Sequence, residues 1–255
     1  MSKPFLVSIE GNIGAGKSTV LEQLEPYLQK TCSDVNKIIF LKEPLDIWEQ
    51  FHDENGLTIL EKFYKNQKRY GFTFQVMAYI TRLSLLKNAI KDNPNADIIV
   101  IERSLCADKN IFMNMLHNDG IIEQMEFDIY NKWYYEFIKE FRVDAVIYMD
   151  SSPEICQSRI NKRNRHGEDG IPLDYLNKCR DYHSKWLIET KCSDVQNVSE
   201  YVSMHTIDHE GYKYPVLRID SNTDTKYDTE NISSECVGNK WLNSIREFIC
   251  QKVNH

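Results

Sequence analysis

Five short, predominantly apolar runs punctuate the chain: Phe5–Ile9, Lys37–Leu41, Asp97–Ile101, Ala145–Met149 and Pro215–Ile219. They are rich in Val and Ile and do not alternate with polar residues, the pattern of strands buried on both faces of a parallel sheet. Helical spacing fills the intervals. Phe74, Met77, Ala78, Ile80, Thr81, Leu85 and Leu86 outline one helix, ended near Asn93-Pro94. Phe127, Ile129, Tyr130, Trp133, Tyr134, Phe137, Ile138 and Phe141 outline a second, with a strongly aromatic face. A third starts near Pro153 and a closing one covers Val237–Lys252. Strands alternating with helices predict an α/β fold, a doubly wound parallel sheet of about five strands flanked by helices. Ligands of such sheets sit at the carboxyl ends of the strands. Residues 191–213 are polar and read as a surface excursion, and residues 220–235, rich in Asn, Asp, Thr and Ser, read as a loop. No Pro/Gly/Ser-rich linker and no repeat divides the chain, so residues 1–255 are expected to form a single domain.

The first strand runs into Gly11-Asn12-Ile13-Gly14-Ala15-Gly16-Lys17-Ser18-Thr19, a G-x-x-x-x-G-K-S motif followed by the amphipathic positions Val20, Leu21, Leu24 and Leu28. In that strand–loop–helix context the motif is a P-loop, which makes the sheet one of P-loop NTPase type. Gly11, Gly14 and Gly16 let backbone N–H groups converge on an anion at a helix N-terminus. Lys17 would reach the terminal phosphates of a nucleoside triphosphate, and the Ser18 hydroxyl would bind Mg²⁺.

Two other strands also end in reactive groups. The second leads to Lys42-Glu43-Pro44 with Trp48 close behind, and the third to Glu102-Arg103-Ser104. One carboxylate at a strand end is placed to act as a base and another to hold Mg²⁺. Each could equally be an acid favoured at a helix start by the dipole. Farther on, Arg159, Arg163 and Arg165 lie in a basic segment of about residues 159–170, at the end of the helix that begins near Pro153. Cations there suit a helix C-terminus. In a P-loop protein the same segment reads as a mobile lid that stabilises charge at the γ-phosphate.

Composition narrows the partners. The chain carries a net charge of −7 and no long basic run, which argues against nucleic acid as a main partner. No apolar run approaches the roughly 18 residues of a membrane span, and the first residues do not read as a targeting sequence. Seven scattered cysteines without a C-x-x-C pair suggest reduced thiols in the cytoplasm. Cys179/His183 and His205/His209 have a spacing that could suit a metal, but no complete ligand set accompanies them.

Taken in order, the P-loop, Lys42-Glu43-Pro44 with Trp48, Phe72-Thr73-Phe74-Gln75, Glu102-Arg103-Ser104, and Arg159 to Arg165 with Gly170-Ile171-Pro172-Leu173-Asp174-Tyr175-Leu176 resemble the deoxynucleoside kinases. The branch most resembled contains deoxycytidine and deoxyguanosine kinases, in order and with similar spacing from about residue 5 to 190. The resemblance implies an ATP-dependent kinase that transfers the γ-phosphate to a nucleoside 5′-hydroxyl in nucleotide salvage. It implies Glu43 as the base for that hydroxyl, Arg103 beside it, and Lys17 on the phosphates. Glu102 and Ser18 would hold Mg²⁺. Tyr64 and Glu168 would bind the sugar 3′-hydroxyl, Trp48, Phe74 and Phe112 would wall the base, and Gln75 would pair with its edge. Arg159, Arg163 and Arg165 match the lid, and Asp224 and Thr225 lie near the adenine-binding loop. The family's homodimers imply a dimer interface on the helices around Phe74–Leu86 and Phe127–Phe141. On periodicity alone, Phe74 and Phe112 would pass as core and Tyr64 as an ordinary helix residue.

Ala78, Arg82 and Asp108 occupy the positions that separate branches of the family, and Arg with Asp resembles the deoxycytidine and purine branch. A buried charge pair needs hydrogen-bonding partners. An amino-bearing base edge supplies them, while Arg82 would crowd a thymine methyl. Two other readings remain. A deoxynucleoside monophosphate kinase would need extra cations for its acceptor and would be repelled by Glu43, and a non-catalytic nucleotide-binding module would have no need of a base.

Overall fold

The computed structural model describes residues 3–32, 37–165, 167–168 and 170–250, and the backbone of 251–253. In chain order its elements are β1 (Phe5–Gly11), α1 (Lys17–Thr31), β2 (Ile38–Leu41), α2 (Leu45–Trp48), α3 (Ile59–Lys65), α4 (Gln67–Asp92) and β3 (Ile98–Glu102). There follow α5 (Leu105–Ala107), a π-helical turn (Asp108–Met113), α6 (Asn114–Asn118), α7 (Gln124–Phe137), β4 (Ala145–Asp150), α8 (Pro153–Arg163) and α9 (Leu173–Leu187). The chain closes with β5 (Gln196–Asn197), β6 (Val202–His209), β7 (Tyr212–Asp220) and α10 (Val237–Val253).

The five apolar runs become β1, β2, β3, β4 and β7, which pair in parallel in the order β2-β3-β1-β4-β7. The three inner strands β1, β3 and β4 are almost wholly buried, as largely apolar strands require when helices cover both faces. The chain leaves β1 for β2 on one side, returns through β3, and only then crosses to β4. The order therefore reverses at β1, and a crevice opens beyond its carboxyl end.

Two expectations need correction. Residues 191–213 are not an irregular excursion, and the sheet is neither five-stranded nor wholly parallel. β6 pairs antiparallel with β7 from Val202↔Ile219 to His209↔Tyr212, and β5 adds a short seventh strand. The hairpin turns on Glu210 (φ 53°) and Gly211 (φ 77°), a two-residue loop with both φ positive, which matches strand twist. Val202, His205 and Ile207 are buried while Ser203, Thr206 and Asp208 are not. β6 thus mixes polar with apolar positions instead of forming one apolar run. The second aromatic helix also stops at Phe137, so Ile138 and Phe141 pack in the turn before β4.

α7 directs Tyr130 and Tyr134 inward but leaves Met125, Ile129 and Trp133 exposed, as α4 leaves Ile80. Cys179/His183 and His205 are packing groups: His183 Nδ1 lies 2.7 Å from the Cys179 carbonyl and His205 Nε2 lies 2.7 Å from that of Leu187. No described helix is long and apolar enough to cross a membrane.

Candidate active site

The loop from Gly11 to Ser18 closes the crevice floor. A Cβ on Gly11 would stand 2.6 Å from the Met149 carbonyl oxygen, and one on Gly14 2.5 Å from that of Cys156. Both residues have positive φ, so glycine is required for the loop to pass this close to β4 and α8. Gly16, at φ 96°, starts the 15-residue α1 and aims its free N–H groups into the crevice. The Asn12 amide donates to the Leu176 carbonyl at 2.9 Å, tying the loop to α9. Lys17 Nζ folds back on the Asn12 carbonyl at 2.8 Å. Burial, with the charge of Arg103, lowers the Lys17 pKa to about 8. Ser18 Oγ donates to Glu102 Oε1 at 2.7 Å, so a hydroxyl and a carboxylate from two elements converge beside Lys17.

On the other side lies a buried charge network. Arg82 Nη1 meets both oxygens of Asp108 at 2.8 and 2.7 Å, while its Nη2 meets Glu43 Oε1 at 2.7 Å. Arg103 Nε reaches the same Glu43 oxygen at 3.2 Å. Burial opposes ionisation of Glu43, but Arg103, Arg82 and Lys17 outweigh it and hold the carboxyl below the ordinary carboxylate range. Asp108 differs, because burial pushes its pKa up to about 6 against the pull of Arg82 and Arg103. Its place on a π-helical turn re-aims it towards α4, a device common at functional sites.

α4 presents Phe74, Gln75, Ala78 and Arg82 on one buried face. Trp48 packs edge-on to Phe74 at 5.4 Å and donates from Nε1 to Thr81 at 2.9 Å. Phe63 stacks on Phe74 at 4.7 Å, and the Arg103 guanidinium lies 4.8 Å over the Phe112 ring. The result is an apolar slot with a polar end. Among the described residues no hydrogen bond engages the buried Gln75 amide at the slot wall.

The basic segment begins at α8, which ends on Asn164 at φ 50°. His166 and Asp169 of this segment lie outside the described residues. Arg163 and Arg165 both pair with the buried Glu168, and Arg159 meets Asp224 at 2.9 Å. Gly167, at φ 87°, rests on α3, where a Cβ would stand 2.9 Å from Glu61 Cγ. Burial, then the charge of Glu168, raises the Tyr64 pKa well above its ordinary value.

Most of these groups face one cavity of about 750 Å³. It collects Ile13 to Thr19, Glu43, Trp48, Tyr64, Phe74, Gln75, Ala78, Arg82, Glu102, Arg103, Asp108, Phe112, Arg159, Arg163, Arg165, Glu168, Asp224 and Thr225. Of the residues singled out in the sequence, Gly11 and Asn12 do not line it; they shape the loop from behind. The deoxynucleoside kinase family model matches residues 7–249.

The chain belongs to the deoxynucleoside kinase family.

A probable deoxycytidine kinase of Fowlpox virus (strain NVSL) is 37% identical over 248 residues, covering 96% of this chain and 88% of its own. Deoxycytidine kinase of Homo sapiens is 30% identical over 246 residues, 89% of this chain and 87% of its own. Mitochondrial deoxyguanosine kinase of Xenopus laevis is 29% identical over 198 residues, 71% and 72% of the two chains. The protein is therefore a phosphotransferase of the deoxycytidine/deoxyguanosine kinase branch, phosphorylating deoxynucleosides at the expense of ATP in nucleotide salvage.

Several side chains of this kinase's cavity were given no role from the sequence: Leu60, Lys162, Tyr175, Tyr227 and Trp241. Thr58 and Glu61 form a capping box that starts α3 and sets Phe63 and Tyr64 towards the slot. That signal, T-x-x-E before an apolar pair, was available. Tyr227 and Trp241, 6.4 Å apart at the far end, come from a loop and from α10 with no motif between them.

Proposed function

We propose that the kinase binds ATP over the Gly11–Thr19 P-loop and a deoxynucleoside in the slot walled by Trp48, Phe74 and Phe112, with Glu43 as the base for the 5′-hydroxyl. The observation that carries this reading is the position of Glu43. It is an ionised, nearly buried carboxylate held by Arg82 and Arg103 between the glycine loop and the aromatic slot. Its oxygens accept the 5′-hydroxyl proton as that oxygen attacks the γ-phosphate. Arg103 lies beside the attacking oxygen, and Lys17 with Arg159, Arg163 and Arg165 offsets the charge on the phosphates. Ser18 and Glu102 supply two hard oxygen donors side by side, the set Mg²⁺ prefers, and would hold that ion, which supplies electrostatic stabilisation of the β- and γ-phosphates when bound.

Closure of the basic segment over the crevice makes it a lid. Glu168 and Tyr64 then bound the sugar end, and Asp224 with Thr225 the donor base. Glu168 engages Arg163 and Arg165, so these arginines would exchange a protein carboxylate for phosphate oxygens on binding nucleotide.

Charge balance favours a nucleoside over a nucleoside monophosphate as acceptor. Arg82 and Arg103 are matched by Glu43 and Asp108, so this network has no net positive charge to offer an acceptor phosphate. The same Arg82–Asp108 pair favours deoxycytidine and purine deoxynucleosides, whose amino-bearing edges offer it donors and acceptors. One apolar cluster running through the described chain supports a single catalytic domain. Exposed Ile80, Ile129 and Trp133 on α4 and α7 support a homodimer closed by these helices. We place the enzyme in the cytoplasm, with small molecules rather than nucleic acid or membrane as partners, in line with its net charge of −7.

Transfer of label from γ-labelled ATP to each of the four deoxynucleosides and their monophosphates tests the reading. Label should appear on deoxycytidine or a purine deoxynucleoside. A strong preference for thymidine would contradict the role of Arg82 and Asp108, and a preference for monophosphates would contradict the acceptor.

A further inference from the structure

Glu43, Glu102 and Asp108 each have a partner that accounts for their burial, but another carboxylate does not touch the cavity at all. Glu10 lies on β1 immediately before the glycine loop and is fully buried. Its Oε1 accepts the backbone N–H of Ser104 at 2.9 Å, and its Oε2 has no hydrogen-bond partner among the described residues. Burial pushes its pKa up, opposed by the charge of Arg103 and by the Ser104 amide. An apolar residue would fill this strand position without that cost. The carboxylate therefore needs a reason.

The segment it grips supplies one. Arg103 is one of three non-glycine residues with positive φ among those described, at φ 64°. An L residue keeps that conformation only where its surroundings impose it. Here two successive amides are tied to β1: Arg103 N–H donates to the Ile9 carbonyl at 3.0 Å and Ser104 N–H to Glu10. Ser104 then caps α5 by accepting the Ala107 N–H at 3.3 Å. From this turn the Arg103 guanidinium runs to Glu43 and across Phe112. Releasing the Ser104 amide would let Arg103 return to a right-handed or extended backbone, which redirects its side chain.

We propose that Glu10 is a positioning residue for phosphoryl transfer: by accepting the Ser104 N–H it holds Arg103 in the left-handed turn from which the guanidinium meets Glu43. The inference rests on the proposed roles of Glu43 and Arg103 and extends them to a residue that contacts neither substrate.

Three variants test it: Glu10→Leu, which removes the acceptor, Glu10→Gln, which keeps an acceptor oxygen at the same reach, and Glu43→Gln alongside. Steady-state kinetics on deoxycytidine and purine deoxynucleosides are combined with ATP titration of each folded variant. E10L should lower kcat by about 100-fold, the loss expected from misplacing a catalytic group by about an ångström. Its KM for the deoxynucleoside and Kd for ATP should stay within about threefold, and E10Q should keep kcat within about threefold of the unmodified enzyme. A general loss of core stability would not produce this split between kcat and KM, nor rescue by the amide. Near-normal kcat in E10L, a loss in E10Q as large as in E10L, or a fall in ATP affinity matching that in kcat would each overturn the proposal. If E10L does not fold, E10Q decides alone, because a 100-fold loss there contradicts the clamp and near-normal turnover supports it. Retained turnover in E43Q would remove the base itself, an outcome distinct from an E10L that merely behaves normally.

Discussion

Arg82 is one cation serving two carboxylates, and this makes Asp108 a control on the basicity of Glu43. Its guanidinium meets Asp108 through Nη1 and Glu43 through Nη2, each at 2.7 Å at the shortest contact. Asp108→Asn keeps the shape and a hydrogen-bond acceptor but removes the charge. Two carboxylates bridged by one guanidinium stand roughly 5 Å apart, which at an effective dielectric near 20 is about 3 kcal/mol of repulsion. Removing half to all of it makes the Glu43 carboxylate easier to keep ionised and so a weaker base. Proton acceptance with a Brønsted dependence near 0.5 then slows by about 3- to 10-fold. The unmodified enzyme makes the same change by itself. Asp108 has a pKa of about 6, so above that pH it is charged and supports Glu43, and below it it is neutral and does not. kcat/KM for the deoxynucleoside should therefore step down by about 3- to 10-fold as pH falls through about 6, to a lower plateau. Asp108→Asn should sit on that plateau from pH 5 to 8 with no step. Initial rates of label transfer at subsaturating deoxynucleoside measure both profiles. A step that persists in D108N, or D108N activity equal to that of the unmodified enzyme at pH 7.5, would refute the reasoning.

Three further outcomes follow from other parts of the molecule. Lys17, with a pKa of about 8, loses its charge as pH rises, so kcat/KM for ATP should fall above pH 8 by about tenfold per unit; a flat profile to pH 9.5 would contradict its role at the phosphates. Gly167→Ala sets a Cβ against Glu61 at a positive φ, which should cost the seating of the basic segment on α3 about 1–2 kcal/mol, reducing kcat by roughly 5- to 30-fold and exposing Lys162 and Arg163 to trypsin. Trp133→Glu combined with Ile80→Glu should convert a dimer to a monomer in sedimentation velocity, and an unchanged sedimentation coefficient would move the interface elsewhere.

The parallel half of the sheet was legible because its strands are mostly apolar and rich in Val and Ile, a pattern that burial on both faces demands. β6 was not, because it mixes polar and apolar positions and carries histidines that suit neither a buried strand nor a plain surface loop. The glycine loop was legible residue by residue, since Gly11 and Gly14 stand where any side chain would strike β4 or α8. Glu43 and Glu102-Arg103 were legible as strand-end groups facing one crevice, but which of them touch was not, because that depends on the strand order β2-β3-β1. The aromatic slot was the least legible part. Phe63, Phe74 and Phe112 have the spacing of ordinary core residues; the stacking of α3 on α4 sets Phe63 against Phe74, while Phe112 reaches the slot from the π-helical turn. Tyr227 and Trp241 join the cavity from the far end of the chain through a loop that carries no periodic signal.

The central claim, that Glu43 is the base, is tested most directly by turnover of Glu43→Gln with ATP binding measured on the same sample. Arg82 keeps Asp108 as its partner in that variant, so the network remains anchored. Phosphorylation of the preferred deoxynucleoside should fall by about 10²- to 10⁴-fold while the ATP dissociation constant changes by less than about threefold. Turnover within about tenfold of the unmodified enzyme would contradict the account.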